Sequence, residues 1–224
     1  MSDALGKILG NPNRVKIMRL FLLNPENTLS VKEVAVRSRS NEEAVKKELK
    51  LLQNISFIKQ KSITVEVPQK TQKTKKHKSK KAQKQETPKI LKPKFKKVPG
   101  YFLNQGFPYN EIFRVLLSQD NTLRKDAILK TFKPSGKLKL LIVSGVFIQQ
   151  PESRADLLIV GDNLNRRMIE DRIKIIESEL GRELVYAVFE TPEFMYRFNM
   201  YDKLIRDILE LPHEKLVDLI KLEM

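Results

Sequence analysis

The chain contains no cysteine and no tryptophan, holds only two histidines, and has aromatic side chains at just 7% of its 224 residues. Without cysteine there is no disulfide, no thiolate zinc site and no thiol nucleophile, a usage that fits a reducing compartment. His77 and His213 stand far apart, neither has a metal-ligating neighbour at useful spacing, and both are expected in solvent. Long apolar runs are missing too. Nothing approaches the roughly 18 residues that a spanning helix requires, so no membrane partner is expected. The opening stretch MSDALGKILG lacks a basic segment leading into an apolar core and a small-residue cleavage site. No signal peptide is therefore expected, and the chain is placed in the cytoplasm.

What is abundant is positive charge. There are 43 Lys and Arg against 27 Asp and Glu, a net +16, which points to a negatively charged partner, nucleic acid ahead of a membrane surface. The excess is local: Pro68 to Lys97 holds 13 lysines and one acid, Glu86, so +12 of the total sits in 30 residues. With scarcely an apolar residue before Ile90, this segment cannot offset its ordering entropy and is expected to be disordered. Its lysines, among them Lys73, Lys75, Lys76, Lys78, Lys80 and Lys81, suit point-charge contacts with phosphates, which add affinity without sequence preference.

The stretch from Leu29 to Phe57 organises the first half. Ser30 with Glu33, and Ser40 with Glu43, have the spacing of capping boxes, so each pair marks a helix start. The first short helix turns Val31, Val34 and Ala35 inward. The second places Val45, Leu49 and Leu52 on its apolar side and Arg39, Asn41, Glu42, Lys46, Lys47 and Lys50 on the polar side. Two short helices joined by a tight turn, the second with a basic front, form the pattern of a helix-turn-helix. Ahead of it, Asn13 to Leu23 is an amphipathic helix that Pro25 ends. Behind it, Ile58 to Val67 alternates with the period of a strand, and Phe95 to Leu103 is strand-like as well. Pro108 opens a further helix over Gly106 to Leu117 with Ile112, Val115 and Leu116 on its apolar side. Ser118 to Asn121 is the candidate domain boundary.

The runs LGKILGNPNRVKIMRLFLLNP and SVKEVAVRSRSNEEAVKKELKLLQNISFIKQ resemble the start of an ArsR-type winged helix-turn-helix transcriptional regulator, over roughly residues 5 to 67 plus the returning strand. The resemblance implies double-stranded DNA as partner and a homodimer as an admissible assembly, with the helix after the wing as dimer interface or linker. Metal-sensing members use cysteine or clustered histidine ligands, which this sequence lacks, so metal response is not carried over. On helix phase, Arg39, Asn41, Lys46, Lys47 and Lys50 are the candidates for the major groove. Ser30, Ser40 and the wing lysines are the candidates near phosphates.

In the second half, Leu138 to Phe147 and Ala155 to Val160 are aliphatic runs that suit buried strands. Asn163 or Asp162 is expected to cap a helix carrying Ile169, Ile173, Ile176 and Leu180, which Gly181 stops. A third strand over Leu184 to Phe189 and helices from Pro192 follow, with Phe194, Phe198 and Tyr201 read as core. This half resembles the minimal nucleotidyltransferase fold. That resemblance implies a Gly-Ser pair holding a triphosphate and an Asp-x-Asp holding magnesium. Here the pair is reversed, Ser144-Gly145; the Asp-x-Asp position reads Arg154-Ala155-Asp156, and the third strand offers no carboxylate. The site is expected to be degenerate and not catalytic, with no cofactor or metal; retained transfer activity would need another carboxylate, Glu152 or Asp162, to be recruited. Ser144, Gly145, Arg154 and Asp156 remain a candidate nucleotide or anion site without chemistry.

The expected fold class is therefore α+β. A winged helix-turn-helix occupies residues 1–120, with the basic insertion at 68–97 as an extended wing tip, and a small α/β nucleotidyltransferase-like domain occupies 121–224. The expected function is sequence-specific DNA binding in transcription regulation, the second domain acting as sensor or interaction module. An active nucleotidyltransferase guided by nucleic acid, and an RNA-binding or nucleoid-architectural protein, are the alternatives.

Overall fold

The computed structural model describes residues 4–67, 94–119, 125–150 and 152–221, and the chain is a mixed α+β protein. Most of the basic insertion, including Lys73, Lys75, Lys76, Lys78, Lys80 and Lys81, lies outside the described residues, as do His77 and residues 120–121 of the expected boundary.

The first region runs α1 (Ala4–Ile8), α2 (Pro12–Leu23), β1 (Leu29–Ser30), α3 (Val31–Ser38), α4 (Glu42–Asn54), β2 (Ile58–Val67), β3 (Lys94–Leu103) and α5 (Asn110–Gln119). Asn11 caps α2 by accepting from the Asn13 N–H, and Pro12 occupies the first turn, where its missing N–H costs nothing. Ser30 and Glu33 form the expected capping box at α3: the Ser30 N–H donates to Glu33 Oε2 at 2.7 Å, and the Glu33 N–H donates to Ser30 Oγ at 3.3 Å. Val15, Met18 and Phe21 of α2 pack with Val34 of α3, and with Val45, Leu49 and Leu52 of α4, in one buried cluster. Burying each such side chain contributes roughly 1.5–3 kcal/mol. The strands form an antiparallel sheet in the order β1-β3-β2. β2 and β3 are a long hairpin in continuous register from Ile58 opposite Leu103 to Val67 opposite Lys94. Ile58 and Leu103 anchor its base in the core.

Three expectations change here. α4 is opened by Asn41, whose Oδ1 accepts from the Glu43 N–H at 2.8 Å, while the Ser40 hydroxyl turns away to Asn13 Oδ1 at 3.1 Å. The shorter Asn41 bond, made from the adjacent residue, displaces the expected Ser40 box. β3 begins at Lys94, so Lys94 to Lys97 are strand and not part of a disordered tip. α5 begins two residues after Pro108 and continues through Ser118 and Gln119, where a boundary was expected. Its phase also differs: Ile112 is 64% exposed, with Val115 and Leu116 exposed beside it, while Leu117 is buried. The cause is aromatic, since Phe113 packs its ring against Phe57 and Phe107, with centroids 6.4 Å away in both cases.

The second region contains α6 (Lys125–Phe132), β4 (Lys137–Val143), β5 (Leu157–Asp162), α7 (Arg166–Leu180), β6 (Tyr186–Glu190), α8 (Thr191–Asn199), α9 (Lys203–Glu210) and β7 (Glu214–Asp218), with 3-10 turns at Lys133–Ser135 and Gly145–Phe147. The sheet order is β6-β5-β4-β7; β4 is antiparallel to β5 and β7, and β6 is parallel to β5 through the α7 crossover. Alternation along the strands sends Leu141, Val143, Leu157 and Ile159 to α6 and α7, and Leu140, Ile142, Leu158 and Val160 to α8 and α9. The result is a sheet covered on both faces.

Several expected boundaries move. β4 ends at Val143, since Ser144 leads into a 3-10 turn. Asn165, not Asn163 or Asp162, caps α7, its Oδ1 accepting from the Met168 N–H at 3.0 Å. Ile169, Ile173, Ile176 and Leu180 are buried as expected, and Gly181 closes the helix at φ 75°. Phe194 and Phe198 join the core, but Tyr201 lies beyond the end of α8 and is 80% exposed. β7 was not expected from the sequence.

The two regions meet where α2 crosses the C-terminal end of α7. The buried Arg19 donates from Nε to the Leu117 carbonyl and from Nη1 to the Glu179 carbonyl, both at 3.1 Å. It thereby satisfies carbonyls at the ends of α5 and α7. Asn24 Nδ2 donates to the Gly181 carbonyl at 2.8 Å, Lys16 pairs with Glu179 at 2.7 Å, and Arg37 pairs with Glu183 at 2.6 Å. A Cβ on Gly181 would lie 2.8 Å from the Arg19 backbone, so glycine is required both by its dihedral and by this approach.

Candidate nucleic-acid interface

α4 is amphipathic because Val45, Leu49 and Leu52 recur at helical spacing, and their burial turns Glu43, Lys46, Lys47 and Lys50 outward. Among the described residues these four side chains have no hydrogen-bond or ion-pair partner. The contrast on the same helix is Glu48, which faces inward and holds Arg14 at 2.8 Å and Asn11 Nδ2 at 2.7 Å. Arg39 is exposed at the left-handed end of α3, with φ 50°.

The other candidates in this region have work within the fold. Ser30 is buried, and its hydroxyl donates to Glu33 Oε2 at 2.7 Å. The Ser40 hydroxyl is occupied by Asn13, and Asn41 Oδ1 caps α4. Ser30 therefore holds the start of α3, Ser40 is engaged by Asn13, and neither presents a free hydroxyl; of Asn41 only the amide nitrogen remains available.

The hairpin adds two cations that the sequence reading passed over, Lys59 and Lys61, to Lys96 and Lys97 at the end of the basic run. Lys59, Lys61, Lys96 and Lys97 are exposed on β2 and β3, and Lys61 Nζ sits 5.1 Å above the Phe102 ring. Lys59 and Lys61 line an open hollow of about 370 Å³ with Pro25, Glu26 and Phe102. The signal was present in Lys59-x-Lys61, because alternate residues of a strand share a face.

The second candidate site does not assemble. Asp156 is 6% exposed, and both of its carboxylate oxygens accept backbone N–H groups at 2.9 Å, Oδ1 from Val146 and Oδ2 from Val185. The Ser144 hydroxyl donates to the Ala155 carbonyl. Gly145 has φ 55°, and a Cβ there would overlap the Asp156 carboxylate. Arg154 turns away from this corner to pair with Asp207 of α9 at 3.2 Å. It lines an open hollow of about 560 Å³ with Glu152, Ser153 and Glu210. Asp162 stands 3.8 Å from Lys139, at the opposite end of β5 from Asp156. The magnesium implied by the nucleotidyltransferase resemblance does not fit these residues, because the one aligned carboxylate is buried with each oxygen held by a backbone amide, and Asp162 lies at the other end of β5. Among the described residues no three of His, Cys, Asp and Glu are grouped as metal ligands. His213 Nδ1 lies 2.8 Å from the Leu211 carbonyl.

Asp218 and Tyr186 are among the groups with shifted ionisation. Asp218 on β7 is held below its usual value by a hydrogen bond from Lys215, at 3.0 Å. Tyr186 at the start of β6 is raised by desolvation and by the nearby Glu170 and Glu177 carboxylates.

Compared with protein-family models, curated proteins and solved structures, the chain matches none. Among the described residues no helix is long and apolar enough to cross a membrane.

Proposed function

We propose that the chain is a sequence-specific DNA-binding transcriptional regulator whose first region is a winged helix-turn-helix of the ArsR type, with α4 as reading helix and the β2–β3 hairpin as wing. The observation that carries this reading is the set of exposed cations on the outer face of α4, Lys46, Lys47 and Lys50, which have no partner among the described residues. The fold keeps these charges exposed without using them, while it pairs Arg14, Lys16 and Arg37 internally. The order of three helices and a hairpin supports the same reading. Lys59, Lys61, Lys96 and Lys97 on the wing strands suit phosphate contacts beside the groove.

The exposed Ile112, Val115 and Leu116 of α5 suit pairing with a second copy of the chain, as the resemblance implies. The second region reads as a degenerate nucleotidyltransferase-like module that makes contacts and performs no transfer. Asp156 serves backbone amides, and Arg154 is paired with Asp207, which leaves neither free for a nucleotide. A second reading, RNA binding, is favoured by one observation: Phe95 is exposed on the hairpin beside Lys96 and Lys97 and could stack on an unpaired base.

Selection of bound sequences from a random duplex pool at about 150 mM salt, where screening weakens nonspecific phosphate contacts, tests the proposal. An enriched motif, palindromic with half-sites about ten base pairs apart for a dimer, is the expected result. Retention of duplexes with no enriched motif, or preference for single-stranded RNA, would contradict it.

A further inference from the structure

Glu43 is an exposed charged side chain of α4 with no hydrogen-bond or ion-pair partner among the described residues. Its spacing from Ser40 expects a capping box, yet Asn41 supplies the cap and the Glu43 carboxylate has no partner among the described residues. Nor does it pair with Lys47, although four residues of helix would bring the two together. By helical phase Glu43, Lys47 and Lys50 lie opposite the buried Val45, Leu49 and Leu52, at the middle of the exposed face, while Glu42 lies toward its margin.

Resting on the DNA-binding reading above, we infer that Glu43 is a specificity-determining residue that selects cytosine in the major groove. The N-terminal end of a reading helix is the part that meets base edges. A carboxylate there is repelled by phosphates on both sides, so it weakens binding to every duplex unless it meets a donor. The major groove offers two exocyclic amines. That of adenine sits beside its N7 acceptor, which a carboxylate avoids, whereas cytosine N4 is a donor that a glutamate accepts from directly. Lys47, one turn further along, is placed to donate to the O6 and N7 of a guanine. Glu42 and Glu43 both stand in the first turn, where an acid favours the helix dipole; of the two, only Glu43 lies at the middle of the exposed face.

The test uses the full chain in three forms: wild type, Glu43→Gln and, as control, Glu42→Gln. Each selects duplexes from the same random pool, and affinities are then measured for the enriched sequence, for its single-base variants and for an unrelated duplex. The expected result is a C·G pair enriched at one position of the wild-type half-site. Glu43→Gln loses that preference by on the order of tenfold, while its affinity for unrelated duplex rises because a negative charge has left the phosphate field. Glu42→Gln keeps the preference. Specificity falling while nonspecific affinity rises is a signature that a merely weakened helix start would not produce. An enriched motif that is identical for wild type and Glu43→Gln overturns the assignment and leaves the DNA-binding reading in place. No enriched motif with any of the three forms overturns the DNA-binding reading, and the assignment with it.

Discussion

The outer face of α4 and the corner between β4 and β5 both carry charged side chains that invite a ligand, and the fold treats them in opposite ways. On the outer face of α4 the charges point to solvent and have no partner among the described residues. At the corner, Asp156 is buried and its two oxygens hold the backbone of the Gly145–Phe147 turn and of the approach to β6. A charged group cannot easily do both tasks, since a buried carboxylate whose two oxygens are each fixed by a backbone amide is not free to turn to a ligand. Function is thus expected where the charge is idle, and stability where it is occupied.

This contrast can be broken experimentally, and the largest effect belongs to Asp156. Asp156→Ala empties a buried site and leaves two backbone N–H groups without their acceptor; it should cost about 3 kcal/mol or more, read as a Tm lowered by on the order of 10 °C. An unchanged Tm would show that the corner is not structural. Gly181→Ala comes next: the left-handed dihedral and the contact with the Arg19 backbone should cost about 1–3 kcal/mol. If chemical denaturation shows the variant to be as stable as wild type, the packing of α2 on the end of α7 is looser than described. Ser30→Ala removes the side-chain half of a capping box and should cost about 1 kcal/mol in the same measurement.

The smallest effect is a pH dependence. The Asp218 carboxyl is held below its ordinary value of 3.8 by Lys215. Its contribution to stability is therefore fully present above that value and is lost as pH falls through the lower folded-state value. Asp218→Asn should lower stability slightly at neutral pH, where that contribution is fully present, and converge with wild type below about pH 4, flattening the acid limb; the difference is small because the pair is partly solvated. Identical acid limbs would remove Asp218 from the account.

Much of the architecture was readable from local pattern. The Ser30–Glu33 box, the Val45, Leu49 and Leu52 seam, and the Ile169 to Gly181 helix follow from side-chain spacing alone, and the structure contains all three. What the pattern could not supply were choices among competing neighbours. Ser40 and Asn41 both offer a capping oxygen, and Asn41 takes the role because Ser40 finds Asn13, a residue distant in sequence. Ile112, Val115 and Leu116 have helical periodicity, but the aromatic cluster of Phe57, Phe107 and Phe113 sets the rotation of α5 and leaves them outside. β7 is five residues with mixed polarity, and only its pairing with β4 makes it a strand. At the candidate sites, the exposure of Lys46, Lys47 and Lys50 followed from helix phase. The occupation of Asp156 by Val146 and Val185 could not, since both contacts are tertiary.

The central claim is that the idle charges of α4 bind DNA. The most direct measurement is the affinity of Lys46→Glu/Lys50→Glu, beside wild type, for a duplex enriched by wild type at about 150 mM salt, with the thermal unfolding of both proteins recorded. The account predicts that specific binding is abolished while the Tm stays within a few degrees of wild type, since both side chains are exposed and unpartnered among the described residues. Retained binding at wild-type affinity would contradict it.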